Sequence, residues 1–328
     1  MNTPIRWGIL STANIAYRRV VPALQAARNG TVQAVASRSL EKAQSFAAER
    51  NIPQAYGSYE ALLADPNIDA IYIPLPNSEH ASWALRCAEA GKAVLCEKPL
   101  ARTADEAQQM VAAFAARGVL LVEGLMYRFH PQTERVQQLL AEGAIGKLAA
   151  ISAGFTYVLR SEANIRVDAA LGGGALLDVG CYCVSLMRLL TGAEPQVGQT
   201  LANFAAGGVD DAMAGTLRFP GGVLGHFDVG MRAYRANFYE LRGTDGRIAV
   251  DKGFTMEANE QHIIRLWRGD QYEEIRTPAV NHFTLMAEDF AEALLSGRPP
   301  RYPAADALGT LRALDGLLKS ARAAGQEW

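Results

Sequence analysis

The sequence of 328 residues has no excess of charge of either sign and no long apolar run. Its 32 lysines and arginines are balanced by 34 aspartates and glutamates, which gives a net charge of -2. The basic residues are scattered, so the chain has no patch that would gather nucleic acid or an anionic membrane surface. No segment approaches the ~18 consecutive apolar residues that a membrane-spanning helix needs. We therefore expect neither nucleic acid nor membrane as a partner.

Cysteine is also scarce, and the four cysteines are not spaced as pairs. Cys87, Cys96, Cys181 and Cys183 lie inside apolar segments without a CxxC motif, which favours buried, reduced thiols over disulfides or zinc ligands. No metal site is predicted. The first predicted strand begins at about Ile5 and leaves no room for an export signal, so we expect a cytoplasmic location.

Up to about residue 126 the sequence alternates regularly between short apolar runs and helical periodicity. Unbroken apolar strands that alternate with helices are typical of a parallel sheet covered on both faces. The predicted strands are IRWGIL, TVQAVAS, DAIYIPL, KAVLCE and GVLLVEG, and the predicted helices are Ile15–Ala27, Leu40–Arg50, Ser78–Ala90 and Thr103–Ala116. The pattern predicts a doubly wound α/β domain of the Rossmann type over residues 1–126.

From residue 127 onward the strands become longer and alternate in polarity. A helix over Gln132–Ala141 is followed by strands joined through FPGG and GTDG turns, which are typical of antiparallel hairpins. These strands lie within KLAAISAGFTYVL, AMAGTLRFPGG, VLGHFDVGMRA, NFYELRGTDGRIAV and HIIRLWRG, and helices near His282–Leu295 and Ala304–Ala323 follow them. Residues 127–328 are therefore predicted to form an α+β domain with a large, mostly antiparallel sheet.

The turn after the first strand, in WGILSTANIA, contains no glycine. In the dinucleotide fingerprint G-x-G-x-x-G/A, the glycines allow the tight turn, the approach of the pyrophosphate and close helix packing. Those positions fall on Ser11, Ala13 and Ala16, which are the next smallest residues. The helix that opens at Asn14 or Ile15 would still present free amide groups to a phosphate. The alternative is a packed turn that binds nothing.

The end of the second predicted strand carries no carboxylate. It runs into Ser37, Arg38 and Ser39, with Lys42 one turn into the next helix. An acidic residue here would accept the ribose hydroxyls of NAD, whereas hydroxyls and a guanidinium suit the 2′-phosphate of NADP. We therefore expect NADP, with NAD as the weaker candidate. The alternative is a serine that caps the helix beside a solvated arginine.

Two loops at the carboxyl ends of predicted strands have unusual sequences, and ligands of open parallel sheets bind at these ends. In IPLPNSEH, Pro74 and Pro76 stop the strand and stiffen the loop before the helix that carries His80. In CEKPL, Pro99 keeps Lys98 out of helical geometry and permits a cis peptide bond between them. The alternative for Lys98 is a solvated surface lysine.

The segment LGGGALLDVGCYCVSLMRLL joins a glycine run to an apolar helix. Gly172 to Gly174 allow close backbone approach, and a helix that is apolar on nearly every side belongs in the interior. Asp178, Tyr182 and Ser185 follow each other at i, i+4 and i+7 on one side of it. A buried carboxylate needs a partner, which the functional interpretation identifies as Lys98. The alternative is a structural network of Asp178, Tyr182 and a backbone amide.

The motifs EKP, MYRFHP and GGGALLDVGCY together resemble those of the glucose–fructose oxidoreductase, inositol dehydrogenase and rhizopine-catabolism (Gfo/Idh/MocA) family, over essentially the whole chain. The chain is most similar to the NADP-dependent branch with aldose (xylose) dehydrogenases and dimeric dihydrodiol dehydrogenase. The resemblance implies a Rossmann domain, an open-faced sheet domain, and a homodimer or homotetramer formed through that sheet. It also implies that a first turn with serine and alanine in place of glycine is usual in this branch, and that Ser37 and Arg38 resemble the 2′-phosphate site of the branch.

The resemblance further implies a catalytic set, which falls on Lys98, Asp178 and Tyr182. Inositol dehydrogenases carry histidine at the last position, so this chain departs from them. Cofactor contacts are expected from Ser11, Thr12, Ala13, Asn14, Ile15, Ser37, Arg38, Lys42, Pro74, Leu75, Asn77, His80, Glu97, Lys98 and Arg166. Substrate contacts are expected from Lys98, Tyr127, Arg128, Arg166, Asp178 and Tyr182. Plain surface or packing contacts are the alternative for Tyr127, Arg128 and Arg166.

The expected reaction is hydride transfer to NADP from a carbinol carbon of a sugar or polyol, namely C1 of an aldose. Tyr182 would take the hydroxyl proton, Lys98 would favour its phenolate form, and Asp178 would orient Lys98 and the sugar hydroxyls. Reduction of a dicarbonyl or an anhydro-sugar, and oxidation of a trans-dihydrodiol, are enzymatic alternatives, as is a glycosidase that uses bound NAD transiently. The non-enzymatic alternative is an NADP-responsive regulator, which the intact catalytic set disfavours.

Overall fold

The structure is a computed structural model, and it describes residues 4–161 and 164–324. The chain packs as two compact units. The first contains the residues up to Met126 together with His282–Leu308, and the second contains Tyr127–Asn281 and the residues from Gly309 onward. Each unit has its own sheet and its own apolar core.

The first unit is built on a six-stranded sheet in which every described pair of neighbours is parallel. Its strands are β1 (Ile5–Leu10), β2 (Gly30–Ala36), β3 (Gln54–Tyr56), β4 (Ala70–Ile73), β5 (Ala93–Glu97) and β6 (Leu121–Gly124). Its first helices are α1 (Val21–Ala26), α2 (Leu40–Arg50), α3 (Tyr59–Leu63), α4 (Asn77–Glu89) and α5 (Ala104–Arg117). The strand order β3-β2-β1-β4-β5-β6 is that of a Rossmann fold, which confirms the predicted doubly wound domain.

Local sequence explains most of these elements. β4 is buried at every residue, as a strand covered on both faces must be. Ser39, Ser58 and Thr103 cap α2, α3 and α5 by accepting hydrogen bonds from backbone amides of the first turn. The sequence analysis did not predict β3 and α3, because elements of 3 and 5 residues are too short to show a period.

The second unit is built on an eight-stranded sheet in the order β14-β13-β12-β11-β7-β10-β9-β8. The strands are β7 (Leu148–Val158), β8 (Gln196–Phe204), β9 (Asp210–Arg218), β10 (Leu224–Gly230), β11 (Arg232–Gly243), β12 (Gly246–Val250), β13 (His262–Arg268) and β14 (Gln271–Thr277). Only β7 and β10 run parallel among the described pairs, which confirms the mostly antiparallel sheet. The helices α6 (Pro131–Ala141) and α7 (Cys181–Thr191) belong to this unit.

One helix departs from the predicted domain boundary. The sequence analysis assigned all residues after 126 to the second domain, whereas α8 (His282–Ser296) packs in the first unit. There the ring of Phe290 lies 4.8 Å from that of Trp7, and Thr284 donates a hydrogen bond to the carbonyl of Ala23. The apolar face of α8 thus completes the cover of the parallel sheet. The last helix, α9 (Ala305–Ala324), lies mainly in the second unit.

Two helical segments begin with a π-helical turn, over Ala16–Val20 before α1 and over Leu176–Gly180 before α7. Such turns insert an extra residue into the helical repeat and occur frequently at functional sites. Both lie where the sequence analysis predicts binding or catalysis.

Membrane-spanning helices, metal clusters and disulfides can be assessed only for the residues that the structure describes. Across residues 4–161 and 164–324, no helix is both long and apolar enough to cross a membrane. Within the same part of the chain no cluster of histidine, cysteine and acidic side chains could hold a metal ion. The four cysteines are buried and free.

Candidate active site

The turn after β1 adopts a backbone conformation that usually requires glycine, although serine occupies the position. Ser11 has a φ of 128°, in the region that side chains other than glycine rarely adopt. Its amide donates to the carbonyl of Ala36, which ties the turn to β2. Ala16 is fully buried where the helix packs on the sheet. The turn therefore fits a dinucleotide fingerprint in both shape and spacing.

Tyr59, which the sequence analysis did not single out, supports this turn. Its phenol lies close enough to the side chain of Ser11 and to the guanidinium of Arg38 for both to lower its pKa. Burial raises that pKa, and the positive charge of Arg38 opposes the rise. Tyr59 begins the short helix α3, and no motif in the sequence marks it. Tyr59 thus lies near both the first turn and the end of β2.

The end of β2 has features of both interpretations of its sequence, a serine that caps the next helix and a site for a phosphate group. Ser39 accepts a hydrogen bond from the amide of Lys42 and so caps α2. Ser37 is buried and its hydroxyl accepts from the amide of Ser39. Arg38 is exposed at the tip. Hydroxyl and guanidinium groups without an intervening carboxylate suit a phosphate monoester.

His80 connects the two loops at the carboxyl ends of β4 and β5. It is fully buried, with Nδ1 2.9 Å from the carbonyl oxygen of Pro99 and Nε2 2.9 Å from that of Leu75. Burial lowers its pKa, against the effect of the two carbonyls. Pro74 and Leu75 are buried, while Asn77 opens α4 and is half-buried. His80 therefore sets the relative position of the two loops that were expected to contact the cofactor.

The loop that carries Lys98 is fixed by two carboxylates. The Lys98–Pro99 peptide bond is cis. Glu97 accepts a hydrogen bond from the phenol of Tyr72 at 2.6 Å and another from the Lys98 amide. Glu123 accepts from the amide of Leu100 at 2.8 Å. Lys98 itself is half-buried at the rim. The two carboxylates hold the backbone amides at Lys98 and, two residues later, at Leu100.

In the second unit, Asp178 receives two hydrogen bonds on the same oxygen. Tyr157 donates through its hydroxyl at 2.6 Å, and Arg166 donates through Nε at 2.8 Å, both to Oδ2. The Asp178 carboxylate raises the pKa of Arg166, against the effect of burial. A carboxylate on this helix was expected to need a partner, and Arg166 and Tyr157 fill that place within the unit. Pairing with Lys98 stays a prediction.

Tyr182 lies among aromatic rings. Its ring centroid is 5.4 Å from that of Phe155, 5.7 Å from Phe254 and 5.9 Å from Tyr127. The phenol is also close enough to Arg166 to act on its pKa. Tyr182 and Asp178 thus both lie near enough to the Arg166 guanidinium to act on it, and we refer to Tyr182, Arg166 and Asp178 as one cluster.

The third residue of the predicted stripe, Ser185, has different partners. Its hydroxyl lies 2.8 Å from the phenol oxygen of Tyr127 and accepts hydrogen bonds from Nε and Nη2 of Arg128. Tyr127 and Arg128 are both buried within the second unit and brace α7. This is the packing interpretation that the sequence left open for these two residues, and their contact with substrate stays a prediction.

The glycine run holds the loop that carries Arg166. The amide of Gly174 donates to the carbonyl of Arg166 and that of Gly173 to the carbonyl of Asp168, each at 2.9 Å. A Cβ at Gly173 would collide with the Arg166 carbonyl, and Gly174 has a φ of 117°. Glycine is therefore required at both positions.

Comparison with known proteins identifies the family of the chain. Residues 5–125 match the family model described as "Oxidoreductase family, NAD-binding Rossmann fold", and residues 133–249 match the "GFO/IDH/MocA C-terminal domain". The chain belongs to the Gfo/Idh/MocA oxidoreductase family. The resemblance predicted from the motifs is confirmed, and with it an NAD(P)-dependent oxidoreductase.

Several relatives of this Gfo/Idh/MocA protein match along most of their length. D-xylose 1-dehydrogenase (NADP(+)) 2 from Haloferax volcanii is 36% identical, over 96% of this chain and 97% of the relative. Trans-1,2-dihydrobenzene-1,2-diol dehydrogenase from Mus musculus is 39% identical, over 76% of this chain and 75% of the relative. The crystal structure of a 3-ketoreductase from Actinomadura kijaniata with NADP and TDP-benzene has a TM-score of 0.93 at 35% identity, and the match covers 97% of this chain and 98% of that one.

Proposed function

We propose that this chain is an NADP-dependent sugar oxidoreductase that transfers a hydride between the nicotinamide and a carbinol carbon, namely C1 of an aldose. The observation that carries the proposal is the cluster of Tyr182, Arg166 and Asp178, which brings a phenol, a cation and a carboxylate together in the second unit. The relative named as an NADP(+)-linked xylose dehydrogenase supports both the cofactor and the substrate class.

NADP is the cofactor that the first unit would hold. Ser11, Thr12, Ala13, Asn14 and Ile15 would bind the pyrophosphate through the turn and the start of the helix. Ser37, Arg38 and Lys42 would bind the 2′-phosphate. The rim residues Pro74, Leu75, Asn77, His80, Glu97 and Lys98, with Arg166 of the second unit, complete the proposed set. When bound, NADP supplies the hydride acceptor or donor.

The residues of the chain would handle the proton. The phenol oxygen of Tyr182 takes the proton of the reacting hydroxyl in oxidation and returns it in reduction. An ordinary tyrosine has a pKa near 10, so it acts as a base at neutral pH only beside a cation that favours phenolate. Arg166 is such a cation within the second unit. We assign Lys98 as a second cation that favours the phenolate form of Tyr182. Asp178 orients the sugar hydroxyls.

Reduction is the second candidate, because one structural neighbour is a 3-ketoreductase. Oxidation of a trans-dihydrodiol is a further variant, supported by the mouse relative. The same proton path serves all three reactions, since Tyr182 acts as base in one direction and as acid in the other. Enzyme assays decide the substrate and the direction of the reaction. The proposed roles of the residues are the same in all three candidate reactions.

The partners that we propose are a sugar or polyol substrate and a second copy of the chain. A homodimer or homotetramer would form through the exposed face of the second-unit sheet. Large apolar side chains are exposed on that sheet, among them Leu201, Leu224 and Phe238. Large apolar groups on one exposed sheet face are typical of protein interfaces.

The test is a titration of the purified protein with NADP and NAD by fluorescence, followed by assays on D-xylose, D-glucose, myo-inositol and a trans-dihydrodiol. Tight NADP binding with aldose-dependent growth of reduced-cofactor absorbance supports the proposal. Oxidation of NADPH by a dicarbonyl or keto-sugar, without aldose oxidation, would move the assignment to a reductase. Failure to bind either nucleotide would contradict the proposal altogether.

A further inference from the structure

Tyr157 lies at the end of β7 and contacts the carboxylate that the proposed function places at the reacting centre. Phe155 and Tyr157 are two residues apart on this strand, so they lie on the same face of the sheet. Phe155 packs against the ring of Tyr182 at 5.4 Å, and Tyr157 donates its hydroxyl to Asp178 at 2.6 Å. One strand therefore contacts both Tyr182, which would exchange the proton, and Asp178, which would orient the sugar hydroxyls.

The hydrogen bonds to Asp178 are arranged to orient it. Tyr157 and Arg166 both donate to Oδ2, from two different chain segments. Two donors on one oxygen fix the plane of the carboxylate and favour its charged form. A carboxylate held in this way presents a constant geometry to a substrate hydroxyl.

Stability alone does not account for this arrangement. The side chain of Arg166 is 40% exposed and that of Asp178 is 13% exposed, so the pair remains in contact with solvent. Ion pairs with an exposed partner contribute little to folding. Tyr157 is likewise half-buried at the end of the strand and lies outside the apolar core.

We propose, on the basis of the proposed function, that Tyr157 is a positioning residue for the hydride-transfer reaction, acting through its hydroxyl on Oδ2 of Asp178. It holds the carboxylate ionised and in a fixed plane while Tyr182 exchanges the proton. Tyr157 undergoes no net chemical change itself.

The test compares Tyr157→Phe with the wild type, because this change removes only the hydroxyl. Tyr234→Phe is the matched control, since Tyr234 lies in the same sheet and is 91% exposed. We expect Tyr157→Phe to lower kcat/KM about tenfold, the usual effect of losing a hydrogen bond to a charged group. On the acid limb of the pH–rate profile, the lower of the two pKa values, which belongs to the carboxylate and not to Tyr182, should move to higher pH, because the carboxylate has lost a donor. A change that merely loosened the fold would lower activity without moving that limb.

A double-mutant cycle shows whether the effect passes through Asp178. In an Asp178→Ala background, which has no acceptor at this position, Tyr157→Phe should lower activity by less than threefold, since the two changes share one interaction. Equal losses in both backgrounds, or wild-type kinetics in Tyr157→Phe, would overturn the proposal.

The same cycle is measured by thermal unfolding of the protein without cofactor. Non-additive Tm changes are expected if the bond to the carboxylate exists, and they should diminish as the pH falls below about 4, where the carboxylate begins to take up a proton. This measurement distinguishes the role of Tyr157 from the proposed enzymatic function. Non-additive Tm changes without turnover on any substrate would contradict the proposed function alone. Turnover without coupling would sink the role of Tyr157 alone.

Discussion

Asp210 accepts a hydrogen bond from the backbone amide of Leu176 at 2.6 Å. Its other oxygen fills the space that a Cβ at Gly174 would need. The carboxylate thus anchors the start of the helical segment that carries Asp178 and Tyr182, and it lies in the same unit. Gly174 is a glycine in part because this anchor leaves no room for a side chain.

Asp210→Asn tests the electrostatics of the anchor. Burial raises the pKa of Asp210 from 3.8 to about 6. Between about pH 4 and 6 the folded protein therefore keeps a proton that the unfolded chain has released, so stability falls as pH rises through this window. The asparagine variant keeps an acceptor for Leu176 and loses the titration. We expect the Tm of the wild type, relative to the variant, to decline from pH 4 to pH 7. Parallel Tm curves would contradict this account.

Arg38 is predicted to select NADP over NAD. Arg38→Ala should weaken NADP binding at least tenfold, because hydrogen bonds from a guanidinium to a phosphate contribute about 1.5–3 kcal/mol. NAD, which has no 2′-phosphate, should bind as in the wild type. Fluorescence titration with both nucleotides measures the ratio. Arg86→Ala is the control, since Arg86 is an exposed arginine of the same unit that pairs with Glu60. A parallel loss for NAD would assign Arg38 to another part of the cofactor.

Ser11 is predicted to tolerate glycine and to reject a β-branched residue. At a φ of 128° glycine is unstrained, so Ser11→Gly should keep NADP affinity within about threefold. Ser11→Val should lose at least tenfold, because a β-branched side chain at positive φ costs on the order of 1–3 kcal/mol and distorts the turn. Titration with NADP compares the two variants, and circular dichroism checks that both are folded. Full affinity in Ser11→Val would show that the turn does not approach the phosphates.

The parts of the fold that the sequence predicted are those that a local pattern determines. Except for β3, the strands of the parallel sheet lie in largely apolar runs of the sequence. The helix α2 matches its predicted bounds because Ser39 caps it and Asn51 ends it in the left-handed region. β14 was missed because its residues are charged and mostly exposed at the sheet edge. The position of α8 was missed because an apolar helix face indicates burial without indicating which unit buries it.

The candidate site is also predicted where a local pattern marks it. Lys98, Asp178 and Tyr182 stand in motifs, so the sequence points to them, and their catalytic roles stay predictions. The partners of Asp178 lie 21 and 12 residues away and belong to no motif, so the contact arises only when β7 and the glycine run fold together. The π-helical turn over Leu176–Gly180 inserts a residue into the helical repeat after Asp178. Asp178 and Ser185 therefore have different partners, although the spacing of Asp178, Tyr182 and Ser185 suggested one stripe.

Assembly through the exposed sheet face predicts an effect of Leu224→Glu. Leu224 is 52% exposed in β10, and burying a leucine contributes about 1.5–3 kcal/mol at each copy. In a two-fold interface the change occurs twice, so the dissociation constant should rise about 100-fold or more. Size-exclusion chromatography with light scattering measures the mass. Leu40→Glu, at a leucine that is 48% exposed in the first unit, is the control. An unchanged mass for Leu224→Glu would place the interface elsewhere.

Tyr182→Phe tests the proton path most directly. The variant keeps the ring that packs between Phe155 and Phe254, so the fold and NADP affinity should be retained. Loss of the phenol oxygen should lower kcat about 100-fold or more, in the range of general acid–base catalysis. Stopped-flow absorbance of the reduced cofactor measures the step, and Tyr272→Phe, at an exposed tyrosine of β14, is the control. Undiminished turnover would leave Arg166 and Asp178 as an ion pair without a base beside it, and the proton would then have to pass through Lys98.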